Sequence, residues 1–174
     1  MRARQRNRSV GTERMQFAEF YAQSKDDVLR AVLATVGDLD TAQDLVAEAF
    51  ARAWAAWRKV SEHPAPRAWV VCTALNAGVS AWRRRRRELP LLGDDAPAGV
   101  SDTGPVDREL MAALLRLPVR QRQVVALRIF LDLDTAHTAE ALGIAPGTVT
   151  AHLSRAIAAL RGEFTPFQHQ GNSS

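Results

Sequence analysis

The sequence predicts an all-α protein: two small helical domains joined by a flexible linker, the C-terminal one a helix-turn-helix. Three observations predict it. Apolar residues recur at helical spacing along most of the chain, with no strand-like alternation bounded by hairpin turns. Residues 89–105, "LPLLGDDAPAGVSDTGP", are rich in Gly, Pro, Asp and Ser and divide the chain as a linker does. Beyond them a short helical pattern stops at Gly143, and Pro146 opens a longer one.

Residues 1–12 read as a basic arm, expected to be disordered. A first helix covers about Glu13 to Val36, with Gly37 as its stop. Within it, Ser24 and Asp27 of "SKDD" have capping-box-like spacing and mark a candidate break. The next helix starts at "DTAQ", where Asp40 accepts from free amides and Gln43 reaches back, and it runs to about Val60. Leu45, Phe50, Ala53, Trp54 and Trp57 give it a broad apolar face. "SEHPAP" interrupts the pattern, and Pro66 suits the first turn of a third helix. That helix continues through the arginine run Arg83 to Arg87 and stops before Pro90, because the residue preceding a proline avoids helical geometry. After the linker come helical patterns over Val106–Leu117, Val119–Leu131, Thr135–Leu142 and Pro146–Gly162, then a frayed tail over 163–174.

Composition bounds the function. The chain has 174 residues, 47% hydrophobic and 24% charged, the balance of a globular protein. A net charge of +4 favours partners that carry phosphate or other anionic surfaces. The single cysteine, Cys72, excludes an intrachain disulfide and a Cys-based zinc site, and "AWVVCTAL" around it marks a small core residue. The basic start has no apolar segment behind it, and no run reaches transmembrane length, so a soluble cytoplasmic protein is expected, without membrane contact. There is no Gly-rich phosphate loop, no nucleophile elbow and no Cys/His cluster. No enzyme activity, cofactor, metal or small-molecule substrate is expected.

In "TAHTAEALGIAPGTVTAHLSRAIAAL", Ala139, Gly143 and Val149 have helix-turn-helix spacing. The small Ala lets the second helix approach, Gly supplies the unusual backbone of the turn, and Val149 fills the angle between helices. Val149, Leu153, Ala156, Ile157 and Leu160 form an inward stripe. Thr148, Thr150, Ala151, Ser154 and Arg155 are left near the outward face, where a recognition helix meets the major groove. This face is only modestly basic, so weak DNA binding is expected of the domain alone.

The stretches "DTAQDLVAEAFARAWAAW" and "PRAWVVCTALNAGVSAWRRRRRE" together resemble region 2 of extracytoplasmic-function sigma factors, the small group of the sigma-70 family. "LPVRQRQVVALRIFLDLDTAHTAEALGIAPGTVTAHLSRAIAALR" resembles their region 4, and the Ala- and Arg-rich character is most similar to actinobacterial members. The resemblance implies region 2 over 13–88, a linker over 89–105 and region 4 over 106–162. It implies a promoter-specificity subunit whose partners are core RNA polymerase, through its clamp helices and flap, promoter DNA, and in many members an anti-sigma factor. Asp44, Glu48 and Arg52 would lie at the polymerase-binding surface. Lys59, Ser61, Glu62 and His63, in the loop "RKVSEHPAP", would take part in capturing an unstacked −10 base, a task that a loop can perform and a straight helix cannot. Asn76, Trp82, Arg83 and Arg84 would complete the −10 surface. Thr148, Thr150, Ala151, His152, Ser154 and Arg155 would read the −35 element.

The arginine run also has a reading of its own. Five successive residues sweep about 400° around a helix, so they cannot share one face, and Arg83 and Arg84 are the favoured phosphate contacts. The chain departs from the family pattern at Leu75 and Ser80, and the trio Thr150, Ala151 and His152 is less basic than usual. His137 and Thr138 replace the usual Glu and Ile, an exchange expected to loosen the first helix of the motif. "GTVTAHL" also resembles the effector domains of LuxR-type regulators, which keeps a free-standing helix-turn-helix transcriptional regulator as the alternative. The N-terminal half lacks the alternating strands and helices of a receiver domain.

Overall fold

A computed structural model describes the backbone of residues 2–88 and 105–164 and the side chains of residues 11–78 and 108–164. Among the described residues every regular element is helical: α1 (Arg2–Val36), α2 (Leu39–Ala55), α3 (Trp57–Ser61), α4 (Pro66–Glu88), α5 (Pro105–Arg116), α6 (Val119–Val125) continuing into a π-helical turn (Ala126–Phe130), α7 (Thr135–Leu142) and α8 (Pro146–Phe164). None is long and apolar enough to cross a membrane. Residues 89–104 of the predicted linker 89–105 and the tail from 165 lie outside the described residues, and Pro105 already begins α5.

Helix α1 begins at Arg2, carrying helical backbone through the stretch for which the sequence predicts disorder. That stretch holds no proline, and its commonest residue is Arg, which loses little freedom in a helix. The candidate break at "SKDD" does not occur. Ser24 is buried and its hydroxyl donates back to the Phe20 carbonyl, while Asp27 pairs with Arg30 and with Arg67 of α4. A serine bonded to the preceding turn has no need to leave the helix.

Gly37 ends α1 with φ of 81°, its amide donating to the Leu33 carbonyl at 2.8 Å. The cap of α2 is then Asp38, not Asp40: its carboxylate accepts from the Thr41 amide at 2.8 Å. Asp38 takes the extended backbone that an N-cap requires, immediately after the left-handed glycine, and this places Asp40 inside the first turn. The predicted continuous helix to Val60 breaks at Ala56, whose φ of −112° and ψ of 23° separate α2 from α3. Up to that break the buried residues of α2 follow the helical period through Ala42, Leu45, Val46, Ala49, Phe50 and Ala53. Trp54 falls off this stripe and is 40% exposed, so it does not belong to the inward face predicted for it.

Helices α1, α2 and α4 pack around Val28, Val32, Leu45, Phe50, Val70, Val71 and Leu75. Phe17, Phe20 and Trp57 close one end, with Phe17 edge-on to Trp57 at 5.1 Å between ring centroids. In the C-terminal half, the segment from Val124 to Leu127 is buried on all sides and serves three cores. Val124 joins Ala139 and Val149; Val125 joins Leu114, Leu117 and Ala156; Ala126 and Leu127 enter the core of the N-terminal half. Four successive helical residues sweep about 300°, so a helix that buries all four must be enclosed on every side. Helix α1 supplies one of those sides, and the two halves of the chain are therefore packed together.

Candidate nucleic-acid interface

The helix-turn-helix forms as its spacing predicts. Asp134 caps α7, accepting from the His137 amide at 2.8 Å. Gly143 ends α7 in left-handed backbone, φ 63° and ψ 40°, and the Ile144 amide donates to the Ala139 carbonyl at 3.0 Å. Val149 is fully buried between Ala139 and Val124. His137 and Thr138 both bond back to Asp134, the residue that caps the first helix. The Thr138 hydroxyl donates to the Asp134 carbonyl at 2.7 Å, and His137 Nδ1 lies 2.7 Å from Asp134 Oδ2. Hydrogen bonds from the His137 amide, and then from its ring, hold the Asp134 carboxyl below the usual carboxylate range.

On α8, Thr148, Thr150, Ser154 and Arg155 are exposed, and Ala151 is partly buried beside them. Thr150 donates its hydroxyl proton to the Pro146 carbonyl at 3.3 Å, which leaves lone pairs facing outward as acceptors. His152 stands apart from this group. It is partly buried between the helical neighbours Val149 and Ala156, and its Nδ1 is shielded with no protein partner. In the stripe predicted to face inward, Val149 and Ala156 are buried, and Leu153 and Leu160 pack partly buried against the core; Ile157 is partly buried.

In the N-terminal half Asp44, Glu48 and Arg52 all lie exposed along α2, one helical turn apart. Arg52 is tied to Glu48 by an ion pair, and both side chains are more than half exposed, so the pair itself adds only about 0.3–0.5 kcal/mol. Lys59 and Glu62 are exposed at the turn that follows. Ser61 and His63 shape that turn: Ser61 Oγ donates to the Arg58 carbonyl at 3.1 Å, and His63 Nδ1 accepts from the Ala65 amide at 3.0 Å. Asn76 is exposed on α4. Trp82, Arg83 and Arg84 lie further along the α4 backbone, with side chains outside the described residues.

A feature the sequence hid lies next to this turn. A groove of about 390 Å³ is lined by Glu13, Trp54, Ala55, Ala56, Trp57, Arg58 and Lys59. The break at Ala56 lies on its wall, and Arg58 reaches across to Glu13 at 3.0 Å. The groove therefore joins Lys59 to the exposed indole of Trp54. Only the break at Ala56 would have revealed it, and alanine carries no such signal in sequence. Among the described residues no three His, Cys, Asp or Glu side chains gather to hold a metal ion.

Both halves match known families. Residues 20–88 match the model of sigma-70 region 2, and residues 107–160 that of sigma-70 region 4. An RNA polymerase sigma-E factor of Streptomyces coelicolor is 33% identical over 158 residues, covering 87% of each chain. The ECF RNA polymerase sigma factor SigL of Mycobacterium tuberculosis strain H37Rv is 33% identical over 141 residues, 76% of this chain and 79% of that one. Among solved structures, the sigma factor RpoE of Bartonella quintana, crystallised with the anti-sigma factor NepR, aligns with a TM-score of 0.75. That alignment covers 88% of this chain and 99% of the other at 22% identity, a likeness of fold.

Proposed function

The chain belongs to the extracytoplasmic-function group of the sigma-70 family, and from that premise we propose how its two regions divide the work of directing RNA polymerase to promoters. The observation that carries the proposal is the placing of two polar faces on one chain. The face of α2 with Asp44, Glu48 and Arg52 is open for a protein partner, and the face of α8 with Thr148, Thr150, Ser154 and Arg155 is open for a DNA groove. The first engages the clamp helices of core RNA polymerase; the second, with Ala151 beside it, reads the −35 element while region 4 rests on the flap. A free-standing LuxR-like regulator is not favoured, since residues 20–88 match sigma region 2 and not a receiver domain.

The −10 element is opened and held by the turn after α3 and the surface of α4. Lys59 and Glu62 offer a donor and an acceptor to a flipped base, with Ser61 and His63 fixing the shape of the turn. Asn76 offers a donor and an acceptor to a base edge, Trp82 serves to stack on an unpaired base, and Arg83 and Arg84 hold phosphate. His152 acts indirectly, setting how α8 sits. Neither DNA-reading face is strongly basic apart from the arginine run, so each binds weakly alone. Tethering both to one polymerase raises their effective concentration, and the pair becomes selective. No bond-making step falls to this chain, and it needs no cofactor. An anti-sigma partner, as RpoE of Bartonella quintana has in its complex, suits the same exposed surfaces.

The test is run-off transcription with purified core RNA polymerase over a promoter pool, with and without the protein. Discrete new starts that need the protein support the proposal. Tight binding to DNA without polymerase, and no new starts, would overturn it.

A further inference from the structure

The positive charge of this chain is concentrated at one end. Residues 1–14, "MRARQRNRSVGTER", hold five arginines against one acidic residue, which is the whole of the net charge of +4. The other 160 residues balance, eighteen basic against eighteen acidic. Neither the −10 nor the −35 surface uses this segment.

Its backbone belongs to α1, which is helical from Arg2 onward. Among the described side chains Phe17 is the first of α1 to pack on the core, meeting Trp54 and Trp57 at centroid distances of 5.2 and 5.1 Å. Before it Gly11, Arg14, Met15 and Gln16 are exposed, and Glu13 holds Arg58 at 3.0 Å. At about 1.5 Å per residue, the helix from Phe17 back to Arg2 is roughly 22 Å long. It leaves the core where Trp57, Arg58 and Lys59 lead into the turn proposed to hold a −10 base. Its length matches roughly six base steps of about 3.4 Å, enough to reach duplex beside a melted stretch.

The arginines stand where an isolated helix disfavours them. Arg2 and Arg6 are one turn apart, as are Arg4 and Arg8, and like charges at that spacing repel. All four lie near the positive end of the helix dipole, and the first turn holds no acidic residue. An external polyanion reverses both effects. The spacing also selects its shape. At about 100° per residue, Arg2 and Arg6 fall within about 40° of each other, Arg4 and Arg8 do the same, and the two pairs are about 200° apart. A flat anionic surface, whether a membrane or a protein face, meets only one such pair. The major groove of duplex DNA, about 12 Å wide, takes a helix about 10–12 Å across and sets a phosphate strand on either side of it.

We propose that residues 2–8 of α1 form a further DNA-binding element, seated in the major groove of the duplex beside the −10 element. Arg2 and Arg6 serve one phosphate strand, and Arg4 and Arg8 serve the other. The element contributes affinity without reading sequence, and it supplies phosphate contacts that the modestly basic face of α8 lacks. The inference rests on the promoter-reading role proposed above.

The experiment uses the full chain with core RNA polymerase, on a promoter identified by run-off transcription. Arg2, Arg4, Arg6 and Arg8 are replaced by Gln, as the two pairs and all together; glutamine keeps the helix propensity and removes the charge. With all four replaced, the slope of log K against log salt for promoter binding should fall by about 3–4, and by about 2 for either pair. Between about 50 and 200 mM salt the intact protein should accordingly lose about a hundredfold more binding than the fourfold variant. The urea midpoint and the binding to core polymerase should not change, which separates this result from misfolding. A photo-crosslinking residue at position 7 should label promoter DNA next to the −10 element.

An unchanged slope in the fourfold variant overturns the proposal while leaving the promoter-reading role intact. An effect confined to one pair overturns the groove seat, and a crosslink to a polymerase subunit alone overturns DNA as the occupant. If the intact protein gives no starts at all, the promoter-reading role falls and this element falls with it.

Discussion

Gly37 and Leu115 fit against each other only because the glycine has no side chain: a Cβ at position 37 would lie 2.6 Å from both Leu115 methyl carbons. The same glycine holds a left-handed φ of 81°. Gly37→Ala should therefore destabilise the protein by about 1–2 kcal/mol from backbone strain alone. The methyls end a rotatable side chain, so the crowding adds less than the backbone. Urea unfolding of Gly37→Ala, Leu115→Ala and the double variant separates the two effects. The double variant should be less destabilised than the sum of the singles, and strict additivity would show that the contact is not formed in solution.

Two helix caps predict the acid limb of stability. Hydrogen bonding from Thr41, first its side chain and then its amide, holds Asp38 below the usual carboxylate range, and His137 does the same for Asp134. A carboxylate depressed in the folded state stabilises fully above its unfolded value, about 3.9, and that contribution is lost as pH falls through the folded value. Urea midpoints should be flat with respect to these groups near neutrality and should fall below about pH 4. Asp38→Asn with Asp134→Asn keeps an acceptor at each cap but removes the titration. Its midpoint should fall less steeply in that window, and an unchanged slope would assign the acid limb to other groups.

How much of this was legible depended on whether a residue acts through its neighbours in sequence or in space. The helix-turn-helix was legible because Ala139, Gly143 and Val149 act within one short segment, and the structure uses each as the spacing demands. The cap of α2 was misplaced by two residues because Asp38 and Asp40 are equally good cap types; the left-handed Gly37 decided between them. The break at Ala56 and the exposure of Trp54 were not legible, since alanine favours an unbroken helix. Nor was the π-helical turn at Ala126–Phe130. Its apolar residues read equally well as one face of an ordinary helix; Ile129 is exposed, and only the presence of α1 on the far side explains why Val124 to Leu127 are all buried. The faces proposed for polymerase and DNA came from family resemblance more than from charge pattern, because exposed acidic and basic residues on helices are common without a partner.

Ala139→Leu should separate stability of the fold from function of region 4. Ala139 is buried against Val149 and Val124, so a larger side chain must push α7 from α8, at about 1–3 kcal/mol. The α2 face with Asp44, Glu48 and Arg52 lies away from the change, although α7 also packs on region 2 through Ala141 and Leu142. Transcription from promoters that depend on −35 should collapse, while binding to core polymerase measured by gel filtration should remain.

Arg83→Ala with Arg84→Ala should weaken open-complex formation and lower its salt dependence. Each lost phosphate contact reduces the slope of log K against log salt by about 0.9 on duplex and about 0.7 on single strands. A fall of about 1–2 in slope with the helical spectrum unchanged fits two contacts. An unchanged slope would leave the arginines as a general electrostatic field around α4.

The last prediction turns on how α8 divides its face. Thr150 spends its proton on the Pro146 carbonyl, so toward DNA its hydroxyl is an acceptor. It would suit the amino group of cytosine or adenine in the major groove. Arg155, exposed one turn and a half further on, donates only, and suits guanine or phosphate. Thr150→Val keeps the shape and removes the acceptor, so it should cost about 1–3 kcal/mol at one base position and little at others. Arg155→Ala should either do the same at a different position or weaken all sequences alike, which tells base from phosphate. His152→Ala should act otherwise. Its ring is partly buried beside Val149 and Ala156, so the loss should appear in the unfolding midpoint and as an even weakening across −35 variants. A selective change at one base with unchanged stability would instead move His152 to the DNA-reading face. Selection of active −35 sequences from a randomised library, run with each variant, measures all three outcomes together.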